Sequence, residues 1–319
     1  MYQKKRFKIA FIGAGYMTNE HLKVFNDIGN VHLAGIYSRT RSKAEALALE
    51  FGIQRVSSSI NDLYKTTEAD AVVISVSELE TKKICTEVFK YPWISLIEKP
   101  VGYNLKEARF ILKVADYKSR DVYVALNRRH YSSSNVVLNG LNGADGKRLI
   151  TIYDQEDAEE ALAAGRPKLI VDNWMYANSI HLIDLFNLFG RGEIVKVEPL
   201  VHWDPENPFL VMAKLEFDSG DIGLYNAVWN APGPWAVTVS TGEKRFEMRP
   251  LESAQYQNRG ERKLTSYSLD DWDNRFKPGL RKQAELFIKA IDTGEKELLP
   301  TLKNATKTME LISKIYENG

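Results

Sequence analysis

The sequence predicts an α/β protein: a doubly wound parallel sheet first, then an α+β domain with a largely antiparallel sheet. Three observations carry this. Short uncharged apolar runs at 9–12, 71–76 and 94–97 suit parallel strands covered on both faces. These runs alternate with stretches of helical, amphipathic spacing. From Leu149 onward, longer alternating strands follow one another through turns such as Asp218-Ser219-Gly220-Asp221, the pattern of an antiparallel sheet with one solvated face.

Composition bounds what the chain does. With 319 residues there is room for two domains, each with its own core. A formal net charge of +1 gives no reason to expect nucleic acid or an anionic membrane as partner. The lone cysteine, Cys85, excludes an internal disulfide and fits a reducing compartment, so a cytoplasmic location is expected. Met1 to Arg6 is basic, but the apolar stretch after it is too short for a secretory signal and has no cleavage site. Nowhere do about eighteen apolar residues run together, as a membrane span requires. His21, His32, His130, His181 and His202 are scattered, no metal-ligand spacing is present, and no metal is expected.

The elements in order begin with the strand at 9–12, which runs into Gly13-Ala14-Gly15 and a helix over 19–28. Gly13 allows a tight turn, and Gly15 lets backbone approach a pyrophosphate that the helix N-terminus attracts. Tyr16 and Met17 belong to the same turn. The third small position of the dinucleotide fingerprint is occupied by Thr18. Glycines also end strands for purely steric reasons, but placement between a strand and a helix favours a dinucleotide site.

The second strand, 31–37, ends at Ser38-Arg39-Thr40-Arg41. An acid there would hold an adenosine ribose and repel a 2′-phosphate; hydroxyls and guanidiniums suit the phosphate, so NADP is favoured. NAD stays open, with Arg39 stacked on the adenine and Ser38 capping the next helix. A helix over 42–51, a short strand at 55–57 and a helix from Ser59 follow. The buried strand at 71–76 brings Ser75 and Ser77 to its ligand-binding end. After a helix over 80–89, the strand at 94–97 leads into Glu98-Lys99-Pro100, then a helix over 105–117. A sixth strand, 121–126, ends at Asn127-Arg128-Arg129-His130.

Gly13-x-Gly15, Glu98-Lys99-Pro100 and Asn127-Arg128-Arg129, in this order and with a closing segment at 282–316, resemble the Gfo/Idh/MocA oxidoreductases from end to end. The resemblance implies a Rossmann dinucleotide-binding domain over 1–122 and a C-terminal α+β substrate and dimerisation domain over 123–319. It implies that Lys99 points into the cleft between domains and hydrogen-bonds the substrate oxygen beside the nicotinamide, stabilising alkoxide or donating a proton. Glu98 would hold the cofactor ribose or its loop, Asn127 the nicotinamide ribose or carboxamide, and the bond before Pro100 is often cis. The structural reading of Arg128 and Arg129 is pairing with carboxylates.

In the second half, strands are expected at 149–153, 195–203, 211–217, 222–229, 236–241 and 244–249. The family pattern Asp-x-Gly-x-His-x-x-Asp, opening a long helix, falls on 177–184. His181 and Asp184 match; Ala177 and Ser179 replace the first acid and the glycine. His181 titrates in the range needed to exchange a proton with a substrate hydroxyl; the plainer reading is a helix histidine satisfied by Asp184. Asn178 or Tyr176 would fill the place of the missing acid. One of Trp174, Trp203, Trp229 and Trp235 is expected to touch substrate, the others to pack. Helices at 278–293 and 303–316 close the chain.

The function expected is NAD(P)-dependent transfer of a hydride between nicotinamide and a secondary alcohol or ketone. The substrate would be a sugar, cyclitol or nucleotide-linked sugar, and the protein a homo-oligomer, dimer or tetramer, through the C-terminal sheet. The alternative is a catalytically altered nucleotide-binding sensor or scaffold of the same fold, suggested by Ala177. A reductase of a linear tetrapyrrole is disfavoured by the presence of Lys99.

Overall fold

The structure is a computed structural model that describes residues 5–316. The first four residues of the basic N-terminal stretch lie outside it, as do residues 317–319. The chain divides into two compact units, Met1–Leu126 with Asn274–Thr306, and Asn127–Asp273 with Lys307–Gly319.

In the first unit, β1 (Phe7–Ile12), β2 (Val31–Tyr37), β3 (Ala71–Ile74), β4 (Ile94–Glu98) and β5 (Val122–Ala125) form a parallel sheet in the order β2-β1-β3-β4-β5. Helices α1 (Tyr16–Asn26), α2 (Arg41–Phe51), α3 (Ile60–Thr67), α4 (Glu78–Val88) and α5 (Leu105–Tyr117) connect them. The strands read as continuous apolar runs because both faces are covered; β3 and β5 are buried at every position. Side chains set the helix starts: Ser59 accepts the Asp62 N–H and Asn104 accepts the Glu107 N–H.

The short strand expected at 55–57 is reduced to a single bridge between Ile36 and Val56. The cause is local. The Ser58 N–H and hydroxyl both turn to the Asp62 carboxylate, at 2.8 and 3.2 Å, which bends the chain into α3 after one pairing. The sheet therefore has five strands among the described residues, rather than the six expected.

The second unit opens with α6 (Ser132–Leu141), β6 (Leu149–Glu156), α7 (Ala158–Ala163), α8 (Lys168–Val171) and α9 (Ile180–Phe189). Strands β7 (Ile194–Val201), β8 (Leu210–Phe217), β9 (Ile222–Trp229), β10 (Ala236–Ser240), β11 (Lys244–Met248), β12 (Gln255–Asn258) and β13 (Thr265–Ser266) complete it, before the short α10 (Trp272–Arg275). The sheet order is β13-β12-β11-β10-β6-β9-β8-β7. Its pairings are antiparallel except β6 with β9, which run parallel because the chain leaves β6 through helices and returns by way of β7 and β8. Burial alternates along β6, β8 and β9, so one face is covered. On that side lies α9, whose sequence, Ile-His-Leu-Ile-Asp-Leu-Phe-Asn-Leu-Phe, is apolar nearly all round, as a buried helix requires.

The chain then returns to the first unit through α11 (Leu280–Thr293) and enters α12 (Leu302–Tyr316). Leu280, Ala284, Phe287 and Ile288 of α11 share one core with β1 and α1. The Phe287 ring meets Phe25 edge-on at 6.2 Å and Tyr123 at 6.0 Å. Burying one such ring contributes roughly 1.5–3 kcal/mol. Thr301 bridges Tyr123, and Val124 donates its N–H to Pro300, so the open edge of β5 is covered.

Candidate active site

In the first unit, the residues singled out from sequence stand at the carboxyl ends of β1 to β4, where ligands bind open α/β sheets. Gly13 has φ +115°, and a β-carbon on it would lie 1.9 Å from the Ser75 carbonyl oxygen. Thr18, buried, donates its hydroxyl to the same oxygen at 3.4 Å. Gly13, Thr18 and Ser75 are thus one close-packed junction between β1, α1 and β3.

Gly15 is different. It is the residue before the first turn of α1 with φ −97°, and a β-carbon there would meet nothing within 4 Å. No side chain caps α1, and its first turn holds no acid. The space and the unspent backbone donors suit the pyrophosphate of a dinucleotide, so the residues present fit such a cofactor. Tyr16, in that turn, is 66% exposed.

At the end of β2, Ser38 accepts the Thr40 N–H at 3.2 Å. The exposed Arg39 guanidinium pairs with Glu80 of α4 at 2.9 Å, and Arg41 pairs with Glu45. The end of β2 itself, Tyr37-Ser38-Arg39-Thr40, carries no carboxylate. Ser77 stands just ahead of α4, where its carbonyl accepts the Glu80 N–H and the Thr81 hydroxyl.

At the end of β4, Glu98 meets the buried His21 of α1, Oε1 to Nε2 at 2.6 Å. From sequence His21 is only one of five scattered histidines. Its spacing with Thr18, Leu22 and Phe25 on the buried face of α1 is the signal that could have found it. Lys99 is half-buried, and the Lys99–Pro100 bond is cis.

In the second unit, Asn127 and His130 are buried in a single turn of 3₁₀ helix after β5. The Arg128 guanidinium lies 4.1 Å over the Trp235 ring, whose Nε1 donates to the Gln155 carbonyl at 2.8 Å. Burial pushes the Arg128 pKa down. Arg129 makes a two-pronged pair with Asp184: Nη2 to Oδ1 is 2.8 Å, and Nε donates to Oδ2. Thr308 of α12 adds a hydroxyl to Asp184 at 2.9 Å. Burial works against the Arg129 charge, and the Asp184 carboxylate overrides it, so the Arg129 pKa is raised. Asp184 therefore ties α9 to the 127–130 turn and to α12.

The motif ahead of α9 is not one regular helix. Met175–Ser179 is wound as a π-type turn, and the α-helix starts at Ile180. More residues per turn bring neighbours closer in angle, and both Asn178 and Ser179 reach one carboxyl group. Asn178 Nδ2 donates to Glu156 Oε2 at 2.8 Å, and Ser179 Oγ donates to Oε1 at 3.1 Å. Ser179, where the pattern that the chain resembles has glycine, thereby finds an acceptor for its hydroxyl. Tyr176, Ala177 and His181 are buried.

Glu156 is half of a pair that the sequence reading does not contain. Asp154 and Glu156, two apart on β6, point to the covered face and are 2% and 1% exposed. Tyr225 donates to Asp154 at 2.7 Å and meets the Tyr316 hydroxyl at 2.8 Å. Burial raises the pKa of Asp154; burial and the neighbouring Asp154 charge hold Glu156 well above the usual carboxylate range. The two buried carboxyl groups interact, and both are held above the usual carboxylate range. The expected strand stops at 153; carrying its alternation three residues further would have placed both acids on the apolar face. Trp229 is core, and the half-buried Trp203 lies tilted against it at 4.4 Å, both beside Tyr316.

The first unit is a doubly wound, dinucleotide-binding sheet, and the second an α+β unit built on a mostly antiparallel one. Residues 7–126 match the oxidoreductase family GFO_IDH_MocA, NAD-binding Rossmann fold. Over that stretch, which holds the first unit's sheet, the chain is similar to the Gfo/Idh/MocA oxidoreductases. It is 22% identical over 239 residues to 4-carboxy-2-hydroxymuconate-6-semialdehyde dehydrogenase of Sphingobium sp., covering 71% of this chain and 73% of that protein. It is 26% identical over 130 residues to glucose-6-phosphate 3-dehydrogenase of Bacillus subtilis, covering 41% of this chain and 36% of that one. Among solved structures, UDP-N-acetylglucosamine 3-dehydrogenase GnnA of Acidithiobacillus ferrooxidans superposes with a TM-score of 0.78 at 17% identity, covering 98% of this chain and 97% of that chain. No helix of the described residues is long and apolar enough to cross a membrane.

Proposed function

We propose that the protein is an NADP-dependent oxidoreductase that interconverts a secondary alcohol and a ketone on a sugar, cyclitol or nucleotide-linked sugar. The observation that carries this is the open space over Gly15 at the uncapped start of α1, in a family of NAD-binding oxidoreductases. Two of the similar proteins are named for dehydrogenating a sugar derivative at position 3, which supports the substrate class. The preference for NADP rests on the end of β2, where Arg39 stands exposed, paired with Glu80 of α4, and the strand end Tyr37-Ser38-Arg39-Thr40 itself offers hydroxyls and a guanidinium in place of a ribose-binding acid.

The first unit takes the dinucleotide through Gly13, Gly15, Tyr16, Met17, Ser38, Arg39, Thr40, Ser75 and Ser77. Glu98 and Asn127 act toward its nicotinamide half. When bound, the nicotinamide supplies or accepts the hydride. The chain itself handles the substrate oxygen. The Lys99 ammonium holds it and favours the alkoxide form, His181 exchanges its proton, and Tyr176 and Asn178 orient the substrate. Homo-oligomers form through the exposed face of the second unit's sheet, and the protein works in the cytoplasm.

The test is fluorescence titration with NADPH and NADH, then turnover across aldoses, sugar phosphates, cyclitols and nucleotide sugars, read by nicotinamide absorbance. Tighter NADPH binding and turnover of at least one alcohol are expected. Absence of nicotinamide binding overturns the reading. Binding without turnover across the panel favours a sensor or scaffold instead, the reading that Ala177 suggests.

A further inference from the structure

An asparagine side chain offers a donor at one end and an acceptor at the other, and nothing intrinsic decides which end faces a ligand. At Asn178 the surroundings decide. Its Nδ2 donates to Glu156 Oε2 at 2.8 Å, and the second Glu156 oxygen is engaged by the adjacent Ser179 hydroxyl at 3.1 Å. Glu156 is 1% exposed, while Asn178 is half-buried. Committing Nδ2 to the Glu156 carboxyl fixes which end of the amide is nitrogen, so Oδ1 on the same carbon is the acceptor that Asn178 has to offer. The Glu156 carboxyl is engaged at both oxygens. It sits on the covered face of β6, and Asp154, braced by Tyr225 and through it Tyr316, stands two residues back on the same face.

We propose that Glu156 is a positioning residue, holding the Asn178 amide so that its oxygen is presented as an acceptor to a substrate hydroxyl group. The inference rests on the reading that the substrate is a polyhydroxy compound, and it deepens that reading by naming what selects hydroxyl donors. Glu156 touches no substrate. It acts through Asn178, and a glutamine in its place serves equally, because its amide oxygen accepts the same hydrogen bond.

Two measurements test this. The first needs no substrate: hydrogen exchange of the Asn178 side-chain amide, read by NMR in labelled protein and assigned with Asn178→Ala. Protection in the wild type, retained in Glu156→Gln and lost in Glu156→Ala, is expected. Exchange as fast in the wild type as in Glu156→Ala overturns the proposal. The second uses the alcohol that turns over best in the sugar panel. Glu156→Ala and Asn178→Ala should each lower kcat/KM roughly tenfold, the double variant should lose no more than either single, and Glu156→Gln should stay within about threefold of wild type. Additive losses, or full activity in a Glu156→Ala protein that is merely less stable, overturn it. If no alcohol in the panel turns over, the functional reading falls, while the Glu156 clamp still stands or falls on amide protection.

Discussion

A β-carbon placed on Gly13 would lie 1.9 Å from the carbonyl oxygen of Ser75, so β1 and β3 can be neighbours only because residue 13 has no side chain. The positive φ adds to the restriction, since L side chains rarely adopt it. Gly13→Ala should cost roughly 3 kcal/mol or more, read as a lowered urea midpoint. Gly15→Ala should behave oppositely. It meets no atom of the protein, so stability should fall by about 1 kcal/mol or less. NADPH affinity, measured by fluorescence titration, should fall about tenfold or more, because the methyl group occupies the pyrophosphate's approach.

Arg39 and Glu80 form a pair that is largely solvent-exposed on the arginine side, and such pairs contribute little to stability. Arg39→Ala should leave the melting temperature nearly unchanged and lower the NADPH-over-NADH preference about tenfold. Glu80→Gln should move that preference the other way. Equal preference in all three proteins would remove the argument for NADP.

Replacing Lys99 by methionine keeps most of the side chain's bulk and removes its proton and charge. Turnover should drop at least about a hundredfold, with NADPH affinity changed far less. Turnover that survives the substitution would take Lys99 out of the chemistry.

Arg129 and Asp184 are both largely buried, and the loss of one strands the other. Arg129→Ala should lower stability by roughly 3–5 kcal/mol. A double variant that combines Arg129→Met with Asp184→Leu leaves no unpaired charge behind and should lose distinctly less. Denaturant midpoints of the two proteins decide it.

Asp154 and Glu156 give the protein a pH dependence whose sign follows from their raised pKa values. The native state keeps a proton that the unfolded chain releases. Stability from this source is full below the ordinary carboxylate range and declines as pH rises through it, by about 1.4 kcal/mol per pH unit for each proton retained. The decline ends once pH passes the raised native pKa. Glu156→Gln should flatten it, so the variant gains on the wild type between acid and neutral pH in urea melts. An unchanged slope would mean the pair holds no extra proton.

The sequence alone determined the alternation of buried strands and helices, and with it the parallel sheet and the strand-end placement of Gly13, Gly15, Ser75 and Lys99. That much is legible because a strand covered on both faces must be continuously apolar, and a tight turn must hold glycine. The strands from 149 to 249 are legible from their alternation for a different reason: a sheet covered on one face alternates apolar and polar side chains. Tertiary structure alone decided where α11 packs, since an amphipathic helix shows that it has a buried face but not which core receives it. It also decided what the polar residues spend their hydrogen bonds on: His21 on Glu98, Arg129 on Asp184, Asn178 and Ser179 on Glu156. Every one of those partners lies at least 22 positions away along the chain. Hydrophobic periodicity reports burial and nothing about which distant polar group will be waiting there.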